Sequence, residues 1–125
     1  MNPVHLDASY LIRSLADRQE WRKLEELAGG ERPIRMSAIA WYEFCRGPRT
    51  PQQIAVARSF LLEEGVVPFT EEIAEVAAAV FRRLGSPRAR AADIAIGTTA
   101  IAHHATLLTR NPADFQAIAG LRFEE

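Results

Sequence analysis

Apolar positions along the chain alternate between short continuous runs and helical spacing. Val4 to Asp7 is a short apolar run and reads as a strand. A helical stretch follows, broken near Asp17 and resumed by Trp21, Leu24, Leu27 and Ala28 at i, i+3, i+6 and i+7, until Gly29-Gly30 ends it. Pro33 precedes a second strand, Ile34 to Ser37. Ser37 reads as the N-cap of a helix through Ile39, Tyr42, Glu43 and Arg46, stopped by Gly47-Pro48. Thr50-Pro51 is a further start signal, with Thr at the N-cap and Pro at the first helical position. The spacing predicts a helix over Pro51 to Glu64 with Ile54, Ala57, Phe60 and Leu61 on one face.

Val66 to Phe69 reads as a third strand. Thr70 then caps a helix whose first turn holds Glu71 and Glu72, where the helix dipole favours them, and whose stripe is Ile73, Val76, Ala77, Val80, Phe81 and Leu84. Gly85 to Arg90 is a linker. Ala91 to His104 is an Ala-rich, nearly uncharged helix, which implies close burial against a sheet. Thr106 to Thr109 is a fourth strand, Asn111-Pro112 opens a short helix, and Leu121 to Phe123 is a fifth strand. Strands alternating with helices predict an α/β fold: a parallel sheet of about five strands sandwiched between helices. There is no internal repeat, low-complexity tract or interior linker, so residues 1–125 are expected to form a single domain.

Composition changes this picture little. Net charge is −1, which excludes an overall basic field but leaves room for an acidic site in which a cation supplies the positive charge. The lone cysteine, Cys45, rules out an internal disulfide and favours a reducing, cytoplasmic setting. The N-terminus has no basic stretch ahead of an apolar one, so no secretory signal is expected. The longest uncharged run, Ile94 to Thr109, is too short and too polar to span a bilayer.

The informative residues are acids. Asp occurs four times against twelve Glu, and three of the four, Asp7, Asp93 and Asp114, lie where a strand or loop hands over to a helix. Asp7 ends the first strand. Glu43 lies in the second turn after the second strand, and Asp114 in the first turn after the fourth. In a parallel sheet all three fall at the carboxyl edge, where such folds bind ligands. Asp93 joins them if the linker before it climbs back along the sheet, and six extended residues reach about 20 Å.

Taken singly, each acid also has a structural reading. Asp7 can cap the next turn, Glu43 can sit on a solvated face, and Asp93 and Asp114 can answer a helix dipole, the last behind Asn111 as N-cap and Pro112 at N1. Gathered at one edge without a cation, four carboxylates would repel and raise one another's pKa. A divalent ion removes that cost, and Mg²⁺ demands oxygen ligands at fixed short range. The chemistry most often hosted by such a site is phosphoryl or phosphodiester hydrolysis. Ser9, Thr109 and Asn111 are candidates to orient a ligand, water or phosphate. Arg88 and Arg90 in the linker and Arg110 after the fourth strand are candidate contacts for the phosphates of a nucleic-acid backbone.

The stretches LDASYLI, SAIAWYEFCRG and ADIAIGTTAIAHHATLLTRNPADF resemble a PIN domain, and more narrowly a VapC-type toxin. The resemblance runs from Val4 to Phe123, and its most specific part is Asp93 followed by Thr109-Arg110-Asn111-Pro112-Ala113-Asp114-Phe115. Asp7 with Ser9 matches the first acid and its nearby hydroxyl, and Glu43 with Gly47 matches the second acid and the glycine after it. The resemblance implies a five-stranded parallel sheet between helices, a Mg²⁺- or Mn²⁺-dependent endoribonuclease with Asp7, Glu43, Asp93 and Asp114 as its acids, an inhibitory antitoxin partner and a homodimer.

Two rivals stand beside this reading: a PIN-type nuclease of RNA maturation outside any toxin–antitoxin system, and a non-catalytic acidic binding module. A phosphoaspartate receiver is set aside because the only Lys is Lys23, in an early helix. The apolar face of the Pro51 to Glu64 helix, with Trp41 and Tyr42, is expected to form a groove for an antitoxin helix.

Overall fold

The computed structural model describes residues 2–61 and 64–125. Five parallel strands, β1 (Val4–Leu6), β2 (Ile34–Ser37), β3 (Val66–Val67), β4 (Thr106–Leu108) and β5 (Arg122–Glu124), form one sheet in the order β3-β2-β1-β4-β5. Six α-helices connect them: α1 (Ala8–Ala16), α2 (Arg18–Ala28), α3 (Ala38–Cys45), α4 (Pro51–Ser59), α5 (Glu71–Arg83) and α6 (Ala91–Ala102). The central strands β1 and β4 are buried at every position, so both faces of the sheet are covered. That is why they read as continuous apolar runs without alternation.

Local chemistry sets most boundaries. Asp17, an ordinary surface acid by sequence, is the N-cap that separates α1 from α2, its carboxylate accepting from the Gln19 and Glu20 amides at 2.8 and 3.2 Å. Ser37 accepts from the Ala40 amide at 3.0 Å. Thr50 and Gln53 form a reciprocal capping box, and Thr70 accepts from the Ile73 amide. In α6, the absence of a side chain at Gly97 lets Ile118 and Leu121 pack onto the helix: a Cβ there would lie 2.8 Å from Ile118 Cδ1 and 3.2 Å from Leu121 Cδ2.

Two expectations about α4 fail. α4 ends at Ser59, with Phe60 as its C-cap; the expected continuation through residues 62 and 63 lies outside the described residues. Its apolar face is not an open groove. Ala57 and Leu61 are buried, Ile54 and Phe60 pack against the core, and Phe60 meets Trp21 edge-on at 5.0 Å. Of the two aromatics expected to join it, Trp41 stacks on Phe44, while exposed Tyr42 lies beneath the Arg46 guanidinium. The chain after α4 returns to β3, so the apolar side of this helix has the core to cover it.

The linker before α6 is folded rather than extended. Gly85 and Ser86 take positive φ and close the end of α5, and Arg88–Arg90 wind into a 3₁₀ turn. α5 packs directly on α6.

Candidate active site

Asp7 follows β1 directly, and its backbone amide bonds the Leu108 carbonyl of β4 at 2.9 Å. It occupies the N-cap position of α1 but makes no side-chain cap bond. Its buried carboxylate instead accepts two hydroxyl hydrogens at Oδ2, from Ser9 at 2.7 Å and from Thr109 at 2.9 Å. Each hydroxyl is itself oriented. Ser9 Oγ accepts the Arg110 amide at 3.1 Å, and Thr109 Oγ1 accepts the Asn111 amide at 3.0 Å. Two backbone amides after β4 thus aim two hydroxyls at one carboxylate oxygen. Among the described residues Oδ1 takes no hydrogen bond.

The other acids reach the same edge. Glu43, half-buried in α3, has its pKa raised by burial and then by the charge of Asp7, against the opposing pull of Arg46, whose guanidinium is 3.8 Å away. Asp93, in the first turn of α6, is pushed up to about 6, first by burial and then by Asp114, Asp7 and Glu43; Arg90 opposes this. Asp93 therefore feels all three other acids, and the four form one electrostatic group. The folded linker delivers it there without the extended climb.

Asp114 closes the 3₁₀ turn Pro112–Asp114. Asn111 occupies the N-cap position there, but its side chain makes no cap bond, contrary to the sequence expectation. The Asn111 amide serves Thr109 instead.

Arg88 and Arg90 are exposed beside α6. Arg110 is not a free cation: its guanidinium lies 3.5 Å from Glu20 Oε2 in α2. Sequence reasoning missed Glu20, because an acid in the first turn of a helix already has a sufficient local reason to be there.

The donors are hard carboxylate oxygens with an excess of negative charge among them, which suits Mg²⁺ or Mn²⁺. Among the described residues, no three or more His, Cys, Asp or Glu side chains stand close enough together to grip a metal ion. The acids are within electrostatic reach of one another rather than at coordinating distance.

A parallel α/β domain whose carboxyl edge carries oriented acids is the class that fold and site define together. Residues 4–121 match the model of the PIN domain, and the chain belongs to that family. Comparison with curated proteins gives no match. Among solved structures, the chain is similar to a toxin–antitoxin complex from Klebsiella pneumoniae, with 25% identity, a TM-score of 0.70 and 94% of each chain covered. It is also similar to VapBC2 from Rickettsia felis bound to a DNA fragment from their promoter (21% identity, TM-score 0.74, 97% of this chain and 96% of that one). DNA-bound VapBC from Salmonella typhimurium gives 20% identity and a TM-score of 0.73, over 99% of this chain and 98% of that one.

Proposed function

We propose that this protein is a divalent-metal-dependent endoribonuclease acting in the cytoplasm as the toxin of a toxin–antitoxin pair. The observation that carries the reading is the fixed carboxylate of Asp7 beside Asp93, an acid whose proton affinity is raised by burial and three neighbouring acids. Asp7, Glu43, Asp93 and Asp114 would hold Mg²⁺ or Mn²⁺, some of them through bound water, since no three of these side chains stand at direct coordinating distance. When bound, such an ion supplies Lewis acidity for phosphodiester hydrolysis.

The chain's own residues do the rest. Ser9 and Thr109 keep Asp7 in one orientation. A carboxylate not committed to the ion, Glu43 or Asp93, would take a proton from the attacking water. In this reading the exposed side chain of Asn111 would meet a phosphate, and exposed Arg88 and Arg90 would meet the RNA backbone. The likeness to a toxin–antitoxin complex and to two VapBC assemblies supports an antitoxin partner, and the family resemblance a homodimer.

The test is incubation of the pure protein with single-stranded RNA, with and without EDTA, followed by addition of Mn²⁺. Cleavage should stop on chelation and return with the metal; cleavage that survives chelation overturns the reading. Co-expression with a small protein encoded beside it should relieve growth arrest, and toxicity unaffected by any such partner overturns the toxin assignment.

A further inference from the structure

We infer that Glu20, far from the acidic edge in sequence, is a positioning residue for the site, acting through Arg110. The inference rests on the nuclease reading above and adds a residue to its machinery.

Glu20 lies in the first turn of α2. Its side chain is only 13% exposed, and its carboxylate meets two cations, Lys23 at 3.5 Å and Arg110 at 3.5 Å. The two contacts differ in kind. Lys23 is 63% exposed and one helical turn away, the geometry of a weak, solvent-screened surface pair. Arg110 is half-buried, reaches across 90 residues of sequence and joins α2 to the segment that leaves β4.

That segment is what orients Asp7. The Arg110 amide bonds Ser9 Oγ and the next amide, from Asn111, bonds Thr109 Oγ1; the two hydroxyls then donate to Asp7 Oδ2. The Arg110 side chain reaches Glu20 in α2. The ion pair therefore pins the residue whose backbone sets one hydroxyl and whose neighbour sets the other. Residues that orient ligating groups through hydrogen bonds in this way matter to a site although they touch no substrate.

The same geometry opposes the simpler use of Arg110 as an RNA contact, since a guanidinium held by Glu20 must leave it to meet a phosphate. The two roles make opposite predictions. If Glu20 positions the site, Glu20→Ala lowers kcat by about tenfold, within the range for such outer partners, at unchanged KM for RNA, and Arg110→Ala does the same. The double charge reversal Glu20→Arg/Arg110→Glu recovers much of the loss. If Arg110 binds RNA and Glu20 merely restrains it, Glu20→Ala lowers KM and Arg110→Ala raises it, and the inference is overturned. Lys23→Ala is the control and should change neither constant.

Amide hydrogen exchange gives a readout independent of cleavage. In Glu20→Ala, the Arg110 and Asn111 amides should lose about tenfold in protection while the β1 and β4 amides keep theirs, as expected for opening of one local contact. Unchanged protection at Arg110 and Asn111 refutes the link. Wild-type protein that cleaves no RNA with Mn²⁺ present sinks the nuclease reading instead, and the exchange result then decides whether Glu20 fixes the segment at all.

Discussion

Thr109 donates its hydroxyl hydrogen to Asp7 Oδ2 at 2.9 Å, across 102 residues of chain. The bond exists because β1 and β4 are parallel neighbours in register, Leu6 opposite Leu108, so the residues that follow them emerge side by side at the carboxyl edge. Thr109 is fully buried there. Thr109→Val keeps the shape, removes the donor and should reduce cleavage 10- to 100-fold. Thr109→Ser should retain most activity. Steady-state RNA cleavage by the two variants is the check, and equal losses in both would mean that packing, not the hydroxyl, matters at this position.

Asp7→Asn and Asp93→Asn should each abolish cleavage with the fold intact, judged by circular dichroism. For Asp93 the pH dependence adds a second signature. Its folded pKa, about 6, lies above the ordinary 3.8. Its contribution to stability is thus complete below about pH 4 and is lost as pH rises through 6. In EDTA at pH 7–8, Asp93→Asn should be more stable than wild type by on the order of 1 kcal/mol, a figure reduced for the partial solvent exposure of the group. The advantage should vanish near pH 4. Thermal melts across this range decide the matter, and a variant less stable at pH 8 would contradict a cost from burying this charge among other acids.

His5 carries the opposite sign. It is buried in β1, 5.4 Å from the His103 ring, and neither of its ring nitrogens has a partner among the described residues. Burial, then His103 and Arg35, lower its pKa from 6.5 to about 4. The stability of neutral His5 is present above pH 6.5 and is lost as pH falls toward 4. His5→Leu should remove a loss on the order of 2–3 kcal/mol over that interval. Denaturant titrations at pH 7 and pH 4.5 measure it; an unchanged acid sensitivity would assign the loss elsewhere.

Gly97→Val should destabilise the fold by about 1–3 kcal/mol, because the added side chain meets Ile118 and Leu121 inside a packed core. Those residues follow Asp114 closely, so activity should fall with stability. A melting temperature at or above that of wild type would show that this approach is looser than the contact distances state.

Leu61→Asp should fail to fold. Leu61 is 4% exposed and belongs to the main core cluster, so the change buries an unpaired charge. A soluble, cooperatively melting Leu61→Asp protein would reopen the α4 face as a surface.

The sequence by itself determined the element order and the parallel α/β class, and it singled out the four acids as candidates, because those signals are local. A cap residue, a Thr-Pro start or an apolar run acts on its own neighbours whatever the rest of the chain does. The Asp-x-Ser and Thr-x-Asn-x-x-Asp patterns carried the family resemblance in the same way. Tertiary structure decided what each face and charge would meet. The stripe of α4 looked free because spacing shows that a helix has an apolar side, not which surface covers it. Arg110 looked like a free cation because its partner, Glu20, lies 90 residues away and has a local helical reason of its own. The fit of Ser9 and Thr109 around Asp7, and the raised pKa of Asp93, depend on the register of β1 against β4 and on the folded linker before α6. Distances between residues remote in sequence are set by packing of the whole domain, and no local pattern encodes them.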